Sequence, residues 1–208
     1  MTTALRRAVA ILGLILLAGG TAHAGGGCRV AAAIASSRYN LPPGLLAAIG
    51  VVESGRRTGP GGAKAAWPDT VDADGQGHWF ATAADAADFV RIAEAGGAKS
   101  IDVGCFQIDL EDHPDAFPNL ATAFTPAANA AYAAAFLARL HANLGSWRAA
   151  TAAYHSATPA RGLPYAALVS AAWHGIAATA AAPRAPHPGG HVIHLAPPHG
   201  HLPLIITP

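Results

Sequence analysis

Apolar and polar positions along the chain follow helical spacing for most of its length, with one stretch of strand-like alternation. From Cys28 to Tyr39 the alanines and Ile34 gather on one side of a short helix. Leu41-Pro42-Pro43 opens a second helix, because proline is tolerated in the first helical turn. Residues Gly44 to Ser54 continue it almost apolar all round, as expected of a helix buried in a core, and the stretch from Gly55 to Gly62 ends it. Glu53 thereby falls at the C-terminal end of a core helix, where a carboxylate is costly.

Residues 67–81 predict a β-hairpin: Thr70 and Val71, a turn from Asp72 to Gly77, and a return through His78-Trp79-Phe80. Asp72, Asp74 and Gly75 hint at a calcium loop, but its other ligand positions and its terminal glutamate are missing, and a plain turn is the expectation. Thr82 to Asp85 resembles a capping box for a helix that stops at Gly96-Gly97. Residues 98–110 read as a loop with a short element. Thr125-Pro126 starts a long helix with Ala133, Leu137, Leu140 and Leu144 at helical spacing, and Gly145 stops it. Asn129 is expected as a first-turn residue of that helix, not a ligand contact. Ser146 caps a further helix from Trp147 to His155, and a last one covers Tyr165 to Trp173. The elements predict a mainly α domain of α+β type with a small β-hairpin, spanning residues 25–174.

Both ends differ from this domain. Arg6 and Arg7 precede an apolar run from Ala8 to Ala18 and the sequence Thr21-Ala22-His23-Ala24, which together describe a signal peptide over residues 1–24. The run is short for a membrane anchor, and Gly25-Gly26-Gly27 lacks the aliphatic residue that a lipoprotein would carry before Cys28. The exported protein would be periplasmic or secreted, without a stable membrane span. Residues 175–208 are rich in alanine, proline and histidine and predict a flexible tail. His187, His191, His194, His199 and His201 could bind metal adventitiously, the weaker of the two readings. Cys28 and Cys105 are the two cysteines, and in an oxidising compartment one disulfide closing a long loop is the simplest expectation. The alternative, a cysteine nucleophile, needs a histidine partner that sequence cannot place.

Composition narrows the function classes. With 13 Lys and Arg against 12 Asp and Glu, nothing recommends a nucleic-acid partner held by a basic surface. The hydrophobic share of 52% is inflated by alanine and by the N-terminal run, and neither disorder throughout nor a polytopic membrane protein fits. A monomer is expected.

Three clusters stand out: Glu53-Ser54-Gly55, Gly104-Cys105-Phe106-Gln107-Ile108 and Ala153-Tyr154-His155. Their order and spacing resemble the signature motifs of the soluble lytic transglycosylase (SLT) domain family, lysozyme-like in fold, over about residues 28–170. The resemblance is close to the specialised members that accompany secretion machines. It implies cleavage of peptidoglycan glycan strands between N-acetylmuramic acid and N-acetylglucosamine, with no metal or organic cofactor. Glu53 would be the catalytic acid and base. Ser54 would hydrogen-bond near the scissile oxygen or the glutamate, and Gln107 would bind the sugar chain where Gly104 permits close approach. Tyr154 would orient Glu53 through its hydroxyl. The cleft would run between the Glu53 helix and the Gly104 segment. His155 departs from the family's asparagine; a structural replacement is expected there, with a catalytic base as the other reading.

The chemistry accounts for these residue types. A buried carboxyl stays protonated and can give its proton to the leaving oxygen of a glycosidic bond. In the family's reaction the same group then takes a proton from the C6 hydroxyl of muramic acid, which closes as a 1,6-anhydro ring. The stretch Ser100 to Asp109 also resembles the nucleophile-bearing stretch of animal-type lysozymes, and it makes Asp102 a possible second carboxylate. Asp102 could instead cap a loop by accepting from backbone amides, and both readings stand at this point. Trp67, Trp79, Phe80 and Phe106 could stack on sugars or serve as core, with Trp79 and Phe106 the better candidates for stacking. Two alternatives to a transglycosylase remain: a muramidase that hydrolyses the same bond with help from Asp102, and a non-catalytic peptidoglycan-binding accessory of a secretion apparatus.

Overall fold

Residues 24–181, apart from Thr58, are described by this computed structural model, and they form seven helices and six short strands. Residues 1–23 of the segment expected to be a signal peptide, and the tail histidines, lie outside the described residues. Helix α1 (Ala24–Arg38) buries Cys28, Ala31, Ala32 and Ala35, a single stripe at helical spacing. It begins four positions earlier than expected and takes in the three glycines. Helix α2 (Leu45–Glu53) buries Leu45, Leu46, Ala48 and Ile49, each large side chain contributing about 2–3 kcal/mol through the area it removes from water.

Strands β1 (Arg56–Arg57) and β2 (Lys64–Ala65) make a two-stranded antiparallel ribbon directly after α2. The expected hairpin is present as β3 (Thr70–Ala73) and β4 (Gln76–Trp79). Its turn is tighter than predicted: Asp74 and Gly75, at φ 50° and 84°, form the whole loop, as an Asp-Gly pair at two positive-φ positions can. Helix α3 (Ala83–Ala95) starts at Thr82, whose hydroxyl accepts from the Asp85 amide at 3.2 Å, so the capping expectation holds.

Residues 98–110, expected as a loop with a short element, instead supply strands β5 (Ile101–Val103) and β6 (Ile108–Asp109). They extend the hairpin into a four-stranded antiparallel sheet in the order β4-β3-β5-β6. Ile101 and Val103 pack with Val71 and with Ala86, Ala87 and Val90 of α3, a second small core beneath the sheet. Asp102, between them, belongs to the other face, because side chains alternate along a strand.

After the short α4 (Leu120–Ala123), helix α5 (Pro126–Leu144) buries Asn129, Ala130, Ala133, Ala134 and Leu137. Helix α6 (Trp147–His155) is capped by Ser146, which accepts from the Ala149 amide. Helix α7 (Pro159–Ala181) starts before and ends after the predicted Tyr165–Trp173 span, so residues 175–181 are helical where a flexible tail was expected. Ile176 explains part of this, since it packs against the helical core. Gly162 lets α7 press on the end of α6: a Cβ there would lie 2.6 Å from the carbonyl oxygens of Ala152 and Ser156. Trp173 donates to the Pro43 carbonyl at 2.8 Å, and Tyr165 meets Glu53, so α7 holds α2 at both ends.

Cys28 and Cys105 form a disulfide across 77 positions, as expected. Closing so long a loop stabilises the fold by about 4 kcal/mol on the chain-entropy account. No helix among the described residues is long and apolar enough to cross a membrane.

Candidate active site

Glu53 ends α2 half-buried, with the hydroxyl of Tyr165 donating to its Oε1 at 2.5 Å. Oε2 has no hydrogen-bond partner among the described residues and is not completely buried. Burial raises the Glu53 pKa to about 8. The Tyr165 hydrogen bond opposes that rise, Asp102 and Asp72 add to it, and Lys64 also opposes it. At neutral pH the group is therefore an acid with its proton, one oxygen held by Tyr165 and the other without a partner among the described residues.

Across from it the upper face of the sheet carries carboxylates in register, Asp72 opposite Asp102 and Asp102 opposite Asp109. Two of the three are engaged locally. Asp72 accepts from the Gly75 amide at 2.7 Å, and Asp109 accepts from Ser100 Oγ and from the amides of Glu111 and Asp112. Asp102 makes no side-chain hydrogen bond among the described residues, so the loop-capping reading fails. Burial, then the charges of Asp109, Asp72 and Asp112, push its pKa up to about 7.

The residues expected to grip substrate converge, but largely on one another. Ser54 is fully buried; its hydroxyl donates to the Cys105 carbonyl at 2.7 Å and accepts from the Trp67 amide at 3.1 Å. That corrects the role expected of it, because the hydroxyl spends its one proton on a carbonyl and is closed off from any sugar by burial. The same bond closes the space between the helix end and the Gly104 segment at this point, so the expected cleft does not pass there. Gly104 is required by the protein itself: at φ 83° a Cβ would sit 2.5 Å from Asn129 Nδ2. Asn129, in the first turn of α5 as expected, is fully buried and accepts from the Phe106 amide while donating to the carbonyls of Val103 and Ala123. Gly104→Ala should therefore lower stability by about 2–3 kcal/mol through positive-φ strain and the clash with Asn129, measured by denaturant unfolding. A loss below about 0.5 kcal/mol, the ordinary effect of a surface substitution, would contradict the packing described.

Gln107, at φ 45°, donates its amide to the carbonyls of Gly104 at 2.9 Å and Thr70 at 3.3 Å. Its Oε1 alone is left to accept from a ligand. Tyr154 does not bond Glu53: its hydroxyl donates to the Phe106 carbonyl at 2.8 Å, and burial followed by the charge of Glu53 holds its pKa well above the usual phenol value. The phenol that does bond Glu53 is Tyr165, which sequence reasoning placed on a helix without a role. Its pKa is likewise pushed well up by burial and by Glu53. His155 stacks flat on the Tyr165 ring, centroids 4.7 Å apart, and burial and Arg161 hold it below the ordinary imidazole value. It is a packing partner of the phenol that holds Glu53, which fits the structural replacement.

No family model, curated protein or solved structure matches the chain.

Of the four aromatic candidates, Phe106 is fully buried and cannot stack on a sugar. Phe80 packs against Phe89 in the second core. Trp67 donates to the Phe80 carbonyl and lies under the Arg56 guanidinium. Trp79 is 46% exposed while its indole donates to the Ser54 carbonyl at 3.1 Å, which fixes an open aromatic face beside the end of α2. No three His, Cys, Asp or Glu side chains among the described residues gather as a metal-binding group.

Proposed function

We propose that the chain is an exported peptidoglycan lytic transglycosylase with a lysozyme-like domain, and that Glu53 is its general acid and base. The single observation that carries this reading is Glu53 itself, a carboxyl at the end of a core helix with a pKa raised to about 8, one oxygen held by Tyr165 and the other without a partner among the described residues. Trp79 supplies an exposed ring for a sugar face, and the Gln107 oxygen an acceptor for a sugar hydroxyl. The disulfide fits an oxidising compartment, as export through the N-terminal signal requires.

Glu53 protonates the glycosidic oxygen as the bond to C1 of muramic acid breaks, leaving an oxocarbenium-like centre. The carboxylate so formed removes the proton of the C6 hydroxyl, whose oxygen bonds to C1, and Glu53 is protonated again. No external water is consumed. Asp102, raised to about 7, is only partly ionised at neutral pH, which lessens what it can lend to a hydrolytic course.

Mass spectrometry of muropeptides released from purified sacculi tests both points. Products should be one water lighter than those bearing a reducing end. Asp102→Asn should keep activity within about tenfold of the wild type, below the 10²–10⁴-fold typical of losing a general acid or base, with the same product mass. Hydrated ends that disappear with Asp102→Asn would replace the proposal by a muramidase.

A further inference from the structure

Immediately beyond Glu53 and Ser54 the chain enters the ribbon of β1 and β2, in which three of the four paired residues are cations. Arg57 and Lys64 stand directly opposite each other, and like charges in that position repel across a ribbon. Arg56, Arg57 and Lys64 are all exposed, and none forms an ion pair; among the described residues the sole such pair is Arg91 with Asp88. Arg57 spends one donor on the Gly62 carbonyl at 3.1 Å and keeps the rest of its fork free. Lys64 is tied to the site: its stem crosses Gly55, where a Cβ would lie 2.6 Å from Lys64 Cε, and its charge is felt by the Glu53 carboxyl. A repulsive cation pair held at the edge of an acid site is relieved by an anionic part of the ligand.

We propose that Arg57 and Lys64 recognise the carboxylates of the peptide stems carried by muramic acid, so that stem-bearing glycan is the preferred substrate. This rests on the glycan-cleaving reading, and it follows from the chemistry of the polymer. The sugar backbone alone is neutral at the groups that Trp79 and Glu53 would meet, whereas an uncrosslinked stem ends in a free carboxylate. Neutral backbone at the acid and anionic stem at the ribbon would set both orientation and preference.

The test measures binding, so it does not depend on turnover. The full chain carrying Glu53→Gln is titrated with glycan strands that keep their stems and with strands stripped of them by an amidase, the lactyl carboxylates so exposed then being capped as neutral methylamides. Stem-bearing strands should bind about fivefold tighter, the scale of two exposed ion pairs, and the preference should fade with added salt. Adding Arg57→Gln and Lys64→Gln should erase the preference, and adding Arg57→Lys alone should keep it; thermal unfolding of each variant checks that the fold is intact. Equal binding of both strands, or a preference that survives the double substitution, overturns the proposal. Cleavage by the wild type without any stem preference would remove this inference and leave the proposed function standing. A stem preference without cleavage would do the reverse.

Discussion

Glu53→Gln should reduce muropeptide release by about 10³-fold or more while making the folded protein more stable at alkaline pH. The loss follows from removing the group proposed to serve as acid and then as base, each role worth about 10²–10⁴-fold. The gain follows from linkage. Glu53 has a folded pKa near 8 against 4.5 for the ordinary group, so the folded state holds the proton more tightly than the unfolded one. Its favourable contribution is complete below about pH 4.5 and is lost as pH rises through 8. Glutamine does not titrate, so unfolding free energies of wild type and variant should diverge by roughly 3–4 kcal/mol between pH 5 and 9. Wild-type activity should decline over the upper part of the same window. Equal release by variant and wild type would end the enzymatic reading, and parallel stability curves would show that the carboxyl is not desolvated.

Tyr165→Phe should have the second largest effect, about 10–100-fold in rate, because it frees the carboxyl from the contact that orients it. It also moves the pH profile in a definite direction. A hydroxyl donating to Glu53 favours the ionised form and opposes the rise in pKa, so its removal should shift the alkaline limb upward. Tyr154→Phe is the control: it should cost about 1 kcal/mol of stability by freeing the Phe106 carbonyl and leave the limb in place. A limb that stays put with Tyr165→Phe, or moves with Tyr154→Phe, would reassign the two phenols.

The helices were legible because their signals are local and repeated. Thr82 and Ser146 cap as their spacing says, and Leu137 and Ala133 bury as helical spacing requires. Strands β5 and β6 were not, since three and two residues are too few for a period to show, and the register that unites Asp72, Asp102 and Asp109 is a matter of pairing. Glu53 was legible from one physical conflict, an acid at the end of an apolar helix. Ser54, Gly104 and Tyr154 were found as a cluster, yet their partners were not readable, because a motif lists residues that converge without saying which of them face outward. Tyr165 lies in an alanine-rich helix with no local signal. Only the docking of α7 on α2 brings it to the acid.

That docking has a consequence for timing. The contact between Tyr165 and Glu53 spans 112 positions, and Trp173, still later in the chain, holds the other end of the same helix. A polypeptide made and threaded from its N-terminus carries the reactive carboxyl long before the phenol that orients it. On the proposed reading, full competence to cut therefore arrives late, once nearly the entire described length has been made and folded.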